Sequence, residues 1–144
     1  MTLQELQGVL PFWQKLLRLQ DWDITLHYIR CSKMTNKEAW AEVEVSNTYQ
    51  RAHIFLRDPI DVVLMHHPED DDPEASLVHE LMHCRINIKV PDDFYTQYEE
   101  GIERTAQALL SLHRELPYLN EVGSCFEHDL TPKQGTLDEP RIFT

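Results

Sequence analysis

The sequence predicts an α+β domain: a helix and three short strands, then two further helices. Three observations carry this. Apolar residues recur at helical spacing through Leu3, Leu6, Val9, Leu10, Trp13, Leu16 and Leu17. Alternation of period two takes over between Asp21 and Leu56. From Asp72 onward, two capped segments return to helical period.

The first helix opens on Thr2-Leu3-Gln4-Glu5, which has capping-box spacing. Gly8 and Pro11 predict a kink in it or its division in two. Its apolar stripe suits core packing, and the same stripe would also serve a partner-binding helix.

Between Asp21 and Tyr28, Trp22, Ile24 and Leu26 share one face, with Asp23, Thr25 and His27 on the other. Residues 39 to 45 set Ala39, Ala41, Val43 and Val45 against Trp40, Glu42 and Glu44. After Ser46-Asn47-Thr48, Arg51 to Leu56 forms a third strand that Asp58-Pro59 terminates. The last two strands read as a hairpin, and the three as a small antiparallel sheet. Residues 60 to 72 read as an irregular, acidic, solvated loop. Adjacent histidines on a loop, His66 and His67, make a poor chelate, because loops lack preorganisation. Donating a hydrogen bond in a transition state suits one of them better.

Asp72-Pro73-Glu74 starts the next helix: an N-cap acceptor, proline at the first helical position and an acid at the positive dipole end. Leu77, Leu81, Cys84 and Ile88 are its expected apolar stripe. Val90-Pro91-Asp92-Asp93 closes it and caps the last helix. There, Tyr95, Tyr98, Ile102, Thr105, Leu109, Leu112 and Leu116 form the expected buried face. Beyond Leu116-Pro117 the apolar residues scatter. The organisation is therefore one domain over residues 1–116 and a tail, 117–144, packed on it.

The chain has 144 residues and a net charge of −12, from 25 acids against 13 Lys+Arg. Such a surface repels phosphate backbones and anionic lipid, so nucleic acid and membrane are not expected partners. Three cysteines, odd in number and unpatterned, suit a reducing compartment, and no membrane span or signal segment is read. A cytoplasmic protein is expected; oligomeric state has no signature here.

The chemistry centres on His79-Glu80-Leu81-Met82-His83. Residues four apart on a helix lie one above the other, so His79 and His83 can present imidazole nitrogens to one ion. Glu80, about 100° round, is placed to reach a water in an open coordination position. The pattern arises by chance roughly once in 25 chains of this composition, so the helix start and apolar flanks matter to the reading. A third ligand is sought on the last helix. Measured from the centre of its expected stripe, Glu99 lies about 100° off and Glu103 about 140° off, with Glu100 on the far side. Glu99 is the better-placed ligand; Glu103 is either the acid that orients a liganding histidine or the ligand itself. His113 is about 21 Å along the axis from Glu99 and reads as a core or helix-end histidine. Cys125 and His128 lie within chain reach of such a site but lack chelating spacing.

The segment His79–His83, followed by Glu99-Glu100-Gly101-Ile102-Glu103-Arg104-Thr105-Ala106, resembles the glutamate-zincin metallopeptidases. It is most similar to the small phage and prophage members and to the peptidases that cleave phage immunity repressors. The resemblance covers residues 1–113. It implies a mini zincin-like fold, zinc on His79, His83 and Glu99, Glu80 as general base and Glu103 as supporting acid. Glu rather than Asp at 103, and the short gap before the glutamate helix, depart from the family pattern. The resemblance also implies that Arg51–Leu56 is the sheet edge along which a peptide substrate pairs. The expected function is zinc-dependent hydrolysis of peptide bonds in a peptide or protein substrate. The alternative is a non-catalytic or regulatory protein-binding module on the same fold.

Overall fold

A computed structural model describes residues 1–65 and 67–127, with side chains as far as Pro117. The chain divides into two compact units, Met1–Ser111 and Leu112–Thr144. Everything that builds the site lies in the first unit.

Helix α1 runs Leu3–Leu16 behind the capping box read from sequence. The Thr2 hydroxyl accepts from the Glu5 N–H at 3.2 Å, and the Glu5 carboxylate accepts from the Thr2 N–H at 2.7 Å. Of the kink or division expected from Gly8 and Pro11, the division does not occur, and one helix continues across Pro11. Burial of Leu6, Leu10 and Trp13 on one face supplies the stabilisation that outweighs the lost hydrogen bond.

The strands are β1 (Asp23–Ile29), β2 (Ala41–Ser46) and β3 (Arg51–Arg57). β2 and β3 form the expected antiparallel hairpin, joined across residues 47–50 with Gln50 at φ 48°. The sheet is mixed, not antiparallel: β1 lies parallel to β3, with Leu26 beside Ile54. The order is β1-β3-β2, so Arg51–Arg57 is the central strand and the expectation that it forms the edge is corrected. Its apolar residues explain this placement. Ala52, Ile54 and Leu56 are at most 1% exposed, in keeping with a strand flanked on both sides.

After β3, Asp58 caps the short helix α2 (Pro59–Val62), so the segment read as loop begins with a helical turn. Arg30 grips Asp61 through a bidentate pair, with Nη2–Oδ1 at 2.7 Å, and the Cys31 N–H donates to the same carboxylate.

Helix α3 runs Pro73–Arg85, opened by Asp72 as N-cap accepting from the Ala75 N–H at 3.1 Å. It packs against α1 and across β2 and β3. The Trp13 indole N–H donates to the buried Glu74 carboxylate at 2.9 Å, tying α1 to the first turn of α3. Ile88, expected on the α3 stripe, lies beyond the helix end and is exposed.

Helix α4 spans Tyr95–Glu127 and continues past Pro117, where the sequence pattern had suggested an end. Its buried residues in the first unit are Ile102 and Ala106, joined by Leu110, with Tyr98 and Leu109 partly covered. Thr105 is exposed and Tyr95 is 54% exposed, so the buried face is rotated from the expected stripe. Small Ala106 permits the close approach that the larger stripe residues would block. No helix among the described residues is long and apolar enough to cross a membrane.

Candidate metal centre

Helix α3 is buried nearly all round, at Ala75, Leu77, Val78, Leu81, Met82 and Cys84 among others. Ser76, His79 and His83 are only half-buried, and they form the one line that faces open space, in keeping with a helical spacing of three and four. That line opens into a cleft of about 750 Å³ between α3, β2 and α4.

The rotation of α4 matters here. Glu99 is seven residues before Ala106, about 20° from it around the helix, so burying Ala106 turns Glu99 inward. The Glu99 side chain is 29% exposed, against 53% for Glu103. His79 Nε2, His83 Nε2 and the Glu99 carboxylate converge. The two nitrogens are 3.1 Å apart, His79 Nε2 is 3.3 Å from Glu99 Oε2, and His83 Nε2 is 3.5 Å from Glu99 Oε1. Among the described residues, these three are the group able to offer ligand atoms to one metal ion.

Each imidazole has its other nitrogen engaged. His79 Nδ1 donates to Glu103 Oε2 at 2.8 Å, and Gln107 Nε2 donates to the second Glu103 oxygen. The Tyr98 hydroxyl donates to the Ile86 carbonyl at 2.8 Å, which leaves its oxygen to accept from His83 Nδ1 at 3.3 Å. Both rings therefore turn a bare Nε2 lone pair toward Glu99. Two lone pairs and a carboxylate, all acceptors, face one another. Glu99 Oε1 is buried and has no hydrogen-bond partner. A divalent cation satisfies all three at once, and bonds of about 2.0–2.1 Å in tetrahedral geometry place ligand atoms about 3.3 Å apart. The residues fit such an ion.

Glu80 points into the same cleft at 7% exposure. Burial pushes its carboxyl up to about 7, opposed by His79 and reinforced by the Glu99 and Glu42 carboxylates. A bound dication would draw it back down. Burial also holds His83 below the usual histidine value, partly offset by Glu99. The Tyr95 phenol is raised by burial and by its hydrogen bond with Glu99. Cys84, beneath the site, is pushed by burial up to about 12 and is chemically inert there.

The opposite wall of the cleft is β2. The Arg57 N–H donates to the Trp40 carbonyl, so in this antiparallel ladder the alternate residues Glu42, Glu44 and Ser46 bond to β3. The main-chain groups of Ala41, Val43 and Val45 then point to the free edge, and all three residues line the cleft. Arg57, 6% exposed, donates to the Lys37 and Ala39 carbonyls, while Glu42 accepts from the Thr35 N–H at 2.9 Å. These bonds fix the segment that leads into the edge strand.

His79, His83, Glu80, Glu99 and Glu103 are all brought together. His67 is not: it is exposed and pairs with Glu69 at 3.1 Å. His66 and His128 lie outside the described residues, and His113 falls in the second unit. Tyr98 and the β2 edge went unrecognised in the sequence. Tyr98 reads there as one more stripe residue, and an edge is not encoded in any single strand. No protein-family model, curated protein or solved structure gives a significant match to the chain.

Proposed function

We propose that the chain is a zinc-dependent metallopeptidase of the small glutamate-zincin kind, acting on peptide or protein segments in extended form. The observation that carries the reading is the convergence of three ligand atoms beside a buried carboxylate, Glu80. His79, His83 and Glu99 would hold the ion, and Glu103 and Tyr98 would fix the two imidazole orientations. Zinc bound there would acidify water and polarise a carbonyl. Glu80, buried beside the triad and facing the same cleft, accepts the water proton and passes it to the leaving amine. The Ala41, Val43 and Val45 main chain offers an extended substrate a strand to pair with, whatever its side chains.

Two imidazoles and one carboxylate with a position left open is a usual hydrolytic zinc set, which favours zinc over iron or copper. The family resemblance of residues 79–83 and 99–103 points the same way. A cytoplasmic setting belongs to the same proposal, on the strength of three unpatterned cysteines. The test is cleavage of a peptide library by zinc-loaded protein, with a chelator control and Glu80→Gln alongside. Turnover that chelation abolishes and that Glu80→Gln loses supports the reading. Metal binding without any cleavage would leave a protein-binding module instead.

A further inference from the structure

The cleft contains six carboxylates, Glu42, Asp70, Asp72, Glu80, Glu99 and Glu103, and among the described residues neither a lysine nor an arginine lines it. A dication held by the triad cancels the charge of Glu99 and Glu80. Four acids remain. Asp72 and Glu42 accept backbone N–H groups, and Asp70 is exposed at the rim. Trp40, Tyr95 and Tyr98 share the lining, and aromatic faces beside carboxylates accommodate both the aliphatic stem and the charged head of a basic side chain. An acidic peptide would have to bring its charge against these carboxylates.

We infer that the cleft selects extended peptide segments with lysine or arginine beside the bond that lies over His79 and His83. This rests on the peptidase reading and names its substrate class. Low-dielectric walls focus the field of the rim acids, so the preference belongs to the cleft rather than to the net charge alone.

The experiment measures binding of fluorescent peptides to zinc-loaded Glu80→Gln protein, which reads recognition without turnover. The peptides are matched in length and apolar content and carry Lys/Arg or Asp/Glu flanks. The inference expects the basic peptides to bind on the order of ten-fold or more tighter, less so as salt is added. Asp70→Asn with Glu42→Gln, which keeps a hydrogen-bond acceptor at both positions, should reduce the preference several-fold. Asp21→Asn with Glu44→Gln, which removes two charges outside the cleft lining, should not. Equal binding of both peptide sets, or an equal loss in the two double variants, would overturn the inference. Selective binding without cleavage by the wild-type protein would leave it standing and sink the peptidase reading instead.

Discussion

His79 donates from Nδ1 to Glu103 at 2.8 Å while its Nε2 faces Glu99 at 3.3 Å, so one ring joins two acids one helical turn apart. The two acids have separate tasks. In the proposed centre Glu99 would supply a ligand oxygen, and Glu103 would fix the tautomer that keeps Nε2 bare. Glu103→Ala should therefore retain the metal with affinity weakened about 10–100-fold, while Glu99→Ala empties the site. Calorimetric zinc titration of both variants checks this. If Glu103→Ala alone abolishes binding, the two roles are exchanged.

Tyr98 holds His83 as Glu103 holds His79, with a neutral phenol in place of a carboxylate. Tyr98→Phe removes that acceptor and keeps the ring. Zinc affinity should fall by less than in Glu103→Ala, because a neutral hydrogen bond is about half as strong as a charged one. An equal or larger loss would show that Tyr98 does more than orient the ring.

The β2 assignment makes an alternating forecast. Amides of Glu42, Glu44 and Ser46 are bonded to β3, and those of Ala41, Val43 and Val45 face the free edge. Hydrogen exchange should be slow at the first set and fast at the second, with the second slowing when a peptide is bound to Glu80→Gln protein. Uniform protection in the free protein would mean that the edge is already covered.

Much of this site was legible because it is local. The caps at Thr2 and Asp72 lie within three residues of what they cap, and His79, Glu80 and His83 sit within a turn of one helix. The Glu99-before-Glu103 order also followed from helical geometry, although the stripe used to reach it was rotated. Local apolar spacing cannot say that Ala106, rather than Thr105, meets the core, since that depends on what packs opposite. Sheet order is non-local in the same way. Nothing within Arg51–Arg57 states that β1 pairs with it in parallel, and only its pairing on both sides, visible once folded, marks the strand as central.

Acid should weaken the fold through Asp61. Hydrogen bonds from Arg30 and the Cys31 N–H hold its carboxyl well below the usual range, at about 2. A depressed native value means stability that is fully present above about pH 4, the ordinary carboxylate value, and lost as pH falls toward 2. Asp61→Asn should thus unfold at lower urea than wild type at pH 6, with the gap narrowing steadily by pH 2.5. A constant gap would show that the ionised carboxylate is not what the fold uses.

Trp13→Phe keeps a ring in the core and removes the donor to Glu74. Loss of a buried hydrogen bond to a carboxylate should cost about 1.5–3 kcal/mol, read as a lower urea midpoint with an unchanged slope.

Metal stoichiometry tests the central claim most directly, by elemental analysis of purified wild-type protein and Glu99→Ala after zinc loading and removal of free ion. The account predicts one zinc per wild-type chain and close to none in the variant. A wild-type chain that retains no metal, or a variant that retains as much as wild type, would contradict it.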